Sequence, residues 1–142
     1  MKIAGLIMMV LFLAKGCENE KAAEELILEY TANTRGFYER ITIEGQAAYV
    51  TSDRDATTRG ESVKISDSDW KNLVALFMAA DIEGMHALKA PTEKRFYDGA
   101  AIAKLKVTLN GKVYESAEFD HGMPPAEIAA LVNKINEYSQ RK

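Results

Sequence analysis

The side chains able to do chemistry in this chain gather in two stretches. They are "KRFYDGAA", Lys94 to Ala101, and "FDHGMPP", Phe119 to Pro125, and they hold Arg95, Tyr97, Asp98, Asp120 and His121. An imidazole beside carboxylates offers acid or base chemistry. A guanidinium close to the start of a helix offers anion binding. Other chemistries fare worse. A metal site needs several convergent His, Cys or carboxylate ligands, and the chain has two histidines, His86 and His121, and one cysteine, Cys17. No metal and no cofactor is therefore expected. A Ser/His/Asp triad can be written as Ser116, His121 and Asp120, but a Gly-x-Ser-x-Gly elbow is missing and adjacent residues do not easily adopt triad geometry. Glycine-rich phosphate loops are absent.

Whether the two stretches meet depends on the elements between them. "AAIAKLKVTLNGKVYESAEFD", Ala100 to Asp120, holds Asn110-Gly111 between two alternating runs, the favoured two-residue hairpin turn because both central positions need positive φ. That turn sets Val107 opposite Tyr114, Lys106 opposite Glu115 and Leu105 opposite Ser116. Continued without interruption, the register brings Asp120 to Ala101 and His121 to Ala100. Arg95, Asp98, Asp120 and His121 would then form a site for a small anion or polar ligand at one end of a sheet. The alternative is structural: Asp120 caps or braces the turn, since Asp and Gly favour turns for backbone reasons. One conflict remains, because Val113 and Phe119 share a face with the lysines: either that face is partly covered or the register carries a bulge.

The remaining pattern supplies a frame. "LILEYTA", Leu26 to Ala32, reads as a strand, and "FYERITIEGQAAYVTS", Phe37 to Ser52, as a hairpin turning at Glu44-Gly45. Residues 53–62 are polar and form a loop. Trp70, Leu73, Val74 and Phe77 fall on one helical face behind a capping signal at Ser66 and Asp69, predicting a helix over 67–80 with Trp70 in the core. "MHALKAPTEKRFYDG" carries no clean period. Ile128, Leu131, Val132 and Ile135 make the apolar stripe of a C-terminal helix opened by proline. The order βββ-α-ββ-α predicts an α+β fold, an antiparallel sheet of about five strands with two helices packed on one face.

The N-terminus addresses location. Lys2, an apolar run from Ile3 to Ala14 and the small Gly16 before Cys17 have the layout of a secretory signal peptide. The run is about twelve residues, short of the roughly twenty that span a bilayer. A single cysteine cannot form an internal disulfide. "LAKGC", with Lys15 where a small residue is usual, resembles the lipobox of bacterial lipoproteins, which implies lipid attachment at Cys17. The expected organisation is a signal peptide over 1–16, a charged tether over 17–25 and one α+β domain over 26–142. Loss of residues 1–16 removes Lys2 and Lys15 and no acid, so the net charge moves from −3 to −5. That balance argues against nucleic acid as a partner.

Together, "GCENE", "TRGFYERI", "APTEKRFYDGAAIAKLKV" and "FDHGMPPAEIAALV" resemble the small single-domain lipoproteins of Bacteroidetes-type bacteria, a group of uncharacterised function. The resemblance implies an outer-membrane or periplasmic location, anchored to the membrane through the N-terminal lipid. It carries no activity and no site residues. Two functions follow as expectations: a non-enzymatic tethered domain that binds an envelope protein or a small polar ligand, and, as the alternative, a small envelope hydrolase using Asp120 and His121.

Overall fold

The computed structural model describes residues 25–141; the expected signal peptide, Cys17 and the tether up to residue 24 lie outside the described residues. Strand β1 (Leu26–Asn33) occupies the middle of the sheet, and its burial alternates along its whole length. Leu26, Leu28, Tyr30 and Ala32 point inward, as the period of two demands. On one side β1 pairs with β2 (Tyr38–Glu44), β3 (Ala47–Thr51) and β4 (Glu61–Lys64) follow outward, and on the other side lie β5 (Ile102–Leu109) and β6 (Lys112–Glu115). A short β7 (Phe119–Asp120) also pairs with β5, and the pairings are antiparallel.

The sheet has seven strands, where the sequence predicts about five. The additions are β7 and β4, and the loop expected over 53–62 gives up Glu61 and Ser62 to β4. β4 escapes pattern reading because "ESVK" is a polar edge strand in which only Val63 is drawn inward. Charged edges of this kind are how sheets avoid pairing with other chains. Gly60 admits the chain to β4 with φ +94, and a Cβ there would clash with the Val50 carbonyl. The β2–β3 turn sits one residue later than expected: Glu44 pairs with Ala47, leaving Gly45 and Gln46 at the tip.

Helix α1 (Asp67–Ala79) begins where Ser66 accepts the Asp69 N–H at 3.2 Å, the expected cap. Helix α2 (Ala126–Asn136) buries Ile128, Leu131, Val132 and Ile135 against β1 and β2, and α1 packs beside it through Leu73 and Phe77. Both helices therefore cover one face of the sheet. Trp70 packs against this core while remaining only half-buried. Lys134 and Arg141 each reach Asp69 at 3.1 Å and tie the C-terminal segment to the first turn of α1.

The Asn110-Gly111 turn forms with positive φ at both residues, and β5 and β6 pair in the expected register through Lys106–Glu115. The ion pair itself is diagonal, Lys104 to Glu115 at 3.4 Å. Beyond it the register slips. Ser116 donates its N–H to the Leu105 carbonyl at 2.8 Å, and its hydroxyl replaces a backbone acceptor for the Leu105 N–H at 3.0 Å. One extra residue is then accommodated, so that Phe119 faces Ala103 and Asp120 faces Ile102 rather than Ala101. This bulge turns Phe119 into the core and leaves Val113 half-exposed, which removes the face conflict in the sequence.

Candidate functional site

Three segments converge at one end of the sheet: the β1–β2 turn, the 3-10 turn Lys94–Tyr97 and the link from β7 to α2. The register explains it, since Asn33 pairs with both Tyr38 and Ile102, and Ile102 with Asp120. Successive strand residues point to opposite faces. Phe119 and His121 turn inward to Tyr30, whose hydroxyl lies 2.7 Å from His121 Nδ1, and the Phe37 ring covers the imidazole at 6.0 Å between centroids. Burial pushes the Tyr30 phenol up to about 12.

Asp120 points the other way and is fully enclosed. Its carboxylate accepts from the Thr92 hydroxyl, from the Lys94 N–H at 2.8 Å, from the Arg95 N–H at 3.0 Å and from Arg95 Nη1 at 3.1 Å. Burial alone would raise this acid. The Thr92 hydroxyl, the two backbone N–H groups and the guanidinium outweigh it and hold the pKa down to about 2. The Arg95 guanidinium also donates to the Thr92 carbonyl at 2.9 Å and stacks 4.4 Å from the Phe96 ring centre. Asp120 thus fastens the N-terminal end of the Lys94–Tyr97 turn, while Asp98, exposed and at φ +57, ends it.

No family model, curated protein or solved structure matches the chain.

Of the four residues singled out from the sequence, Arg95 and Asp120 meet as an ion pair, Asp98 stands on the same turn facing solvent, and His121 lies on the opposite face with Tyr30. Asp120 and His121 do not form an acid–base pair, because the aspartate oxygens are occupied by the turn and the imidazole is bonded elsewhere. Ser116 is buried within the hairpin, bonded to Leu105 rather than to His121. Among the described residues no group of three or more His, Cys, Asp or Glu could hold a metal ion. What this end does present is apolar. Six large apolar side chains are exposed among the described residues, and Phe37, Phe96, Tyr97 and Met123 lie here, with Phe96 70% and Tyr97 72% exposed.

A second feature lies on the face of the sheet opposite the helices, where the loop after β3 arches over β1, β2 and β5. Arginines hold this loop: Arg40 donates to the Thr58 carbonyl at 3.0 Å, Arg59 pairs with Glu44, and Arg54 donates to the carbonyls of Thr34 and Phe37. Beneath the loop is a cleft of about 350 Å³ whose floor is Ile27, Glu29, Arg40, Thr42, Lys106 and Thr108 and whose wall is residues 56–59. Apart from Lys106, which the hairpin register sets opposite Glu115, these residues belong to no motif in the sequence. The available signal was the alternation of Lys104, Lys106 and Thr108 along β5 and of Arg40 and Thr42 along β2; their convergence required strand order.

Proposed function

We propose that the chain is a non-enzymatic, lipid-anchored domain of the cell envelope that docks another envelope protein through the aromatic end of its sheet. The observation that carries this reading is the Lys94–Tyr97 turn. A fully buried carboxylate with four donors fastens a surface turn whose outward side chains are Phe96 and Tyr97. Both rings are supported at their base, Phe96 by the Arg95 guanidinium and Tyr97 by the flank of Gly99, where a Cβ would meet the Tyr97 ring at 2.9 Å. Rings fixed before contact lose little entropy on binding. Aromatic residues supported by arginine and flanked on their own turn by charges of both signs, here Glu93, Lys94 and Asp98, match the centre and rim of a protein interface.

Anchoring rests on Cys17 and the signal layout before it. No described helix is long and apolar enough to cross a membrane. Cys17→Ser is expected to stop labelling of the chain by a fatty-acid analogue; persistent labelling would defeat the lipoprotein reading. Docking is tested by placing a photoreactive benzophenone side chain at position 97 of the full chain in cells. The expected result is one discrete adduct with another envelope protein, lost on Phe96→Ala. An adduct with a second copy only, with lipid only, or an identical adduct from a probe at Lys71 on α1 would refute docking at this end.

A further inference from the structure

We infer that the cleft under the loop after β3 is a binding site for a small hydroxylated organic anion of the acidic-sugar class. Among the described residues neither Arg40 nor Lys106 is in an ion pair, although Lys104, on the same face of β5, is paired with Glu115. Arg40 gives one N–H to Thr58, and a guanidinium carries five. The Arg59 charge at the rim is balanced by Glu44. On a chain whose net charge is −3, two cations outside any ion pair among the described residues therefore line the cleft with one carboxylate, Glu29, while Glu115, across from Lys106 on β6, is engaged by Lys104. The cleft favours an anion that the rest of the surface repels.

Glu29 narrows the choice. It lies across from Thr42 on β2 and Lys106 on β5, at the centre of the cleft floor. An ionised carboxylate only accepts hydrogen bonds, so a bare oxyanion placed beside it meets repulsion and no donor. A ligand with an anionic group for Arg40 and Lys106 and hydroxyls for Glu29 satisfies both. Threonine hydroxyls at Thr42, Thr58 and Thr108 donate and accept, which suits a polyol. The volume matches the small end of ligand clefts, a monosaccharide or the terminal unit of a glycan. Such a unit is either a free uronic acid or the end of an acidic polysaccharide.

The test is isothermal titration calorimetry on the purified full-length chain at low salt, with D-glucuronate, D-glucose, inorganic phosphate and trigalacturonate as probes. Saturable binding of D-glucuronate or trigalacturonate, with D-glucose inert, is the expected result; the monomer alone indicates a free acid and the trimer alone a glycan end. Lys106→Gln, a surface change that leaves the fold intact, should weaken binding about tenfold or more by removing a charge-assisted hydrogen bond. Glu29→Gln should weaken the sugar acid as well. The inference is overturned if neither uronate binds, if D-glucose binds as well as D-glucuronate, if Lys106→Gln is without effect, or if phosphate binds more tightly than D-glucuronate and Glu29→Gln tightens both.

Discussion

Replacing Asp120 by alanine tests the central claim about the aromatic end, that one buried carboxylate fixes its turn. The substitution removes the acceptor for the Thr92 hydroxyl, two backbone N–H groups and a guanidinium. Arg95 is left with its side chain 10% exposed and without its counter-charge, and its Nε already has no partner among the described residues. Removing one member of a buried pair costs about 3 to 5 kcal/mol, because the other charge stays desolvated. Two unpaired N–H groups alone would account for at least about 2 kcal/mol of that. For a domain of this size the loss corresponds to a fall in Tm of roughly 10 to 20 °C. Thermal and urea unfolding followed by circular dichroism measure it, and hydrogen exchange locates it. The amides of Lys94 and Arg95 should lose protection beyond the general loss of stability. A cost below about 1 kcal/mol, or unchanged protection at those two amides, would show that the turn does not depend on Asp120 and would remove the argument for a preorganised surface.

Other perturbations have equally definite outcomes. The Asp120 pKa is held at about 2 against an ordinary 3.8, so its contribution is complete above pH 4 and is lost as pH falls from about 4 to about 2; urea midpoints across that window should drop in the native chain and flatten in Asp120→Asn. At the alkaline end Tyr30 is raised from 10.0 to about 12, so its neutral phenol stabilises the fold below pH 10 and stability declines as pH rises toward 12. Tyr30→Phe should remove that alkaline decline in the same measurement. Trp70→Ala should cost about 1.5 to 3 kcal/mol, less than a fully buried aromatic, because the ring is half-buried against the core; a urea-derived loss under about 0.5 kcal/mol would place it outside the core. Gly60→Ala puts a Cβ against the Val50 carbonyl at a φ of +94, so it should destabilise by more than about 1 kcal/mol and weaken protection of the β3–β4 amides, with full retention of stability the contrary result.

The local parts of this protein are written in its residue order. Asn110-Gly111 forces a two-residue turn, Ser66 caps α1, Ile128 to Ile135 stripe α2, and the alternation in "LILEYTA" makes β1 a strand with one buried face. Each follows from dihedral preferences or from a period of 2 or 3.6 residues, which neighbours along the chain reveal. Arg95 and Asp120 were also legible as members of one end of the sheet, because the hairpin turn counts residues down both strands. Their partnership with each other and the separation of His121 were not.

Tertiary structure decided those. The slip at Ser116 depends on a hydroxyl replacing a backbone acceptor, a substitution that no period records, and its single extra residue determines which face Asp120 takes. Strand β4 forms because β3 offers it an edge; "ESVK" has too little apolar alternation to declare itself. The cleft beneath the loop after β3 exists only because strand order sets β2, β1 and β5 side by side, bringing Arg40, Glu29 and Lys106 together from distant parts of the chain. A residue pattern can say that these side chains share the wet face of their own strands. Which wet faces become neighbours is settled by the packing of the opposite, buried face, where the apolar side chains of all three strands must close on the same two helices.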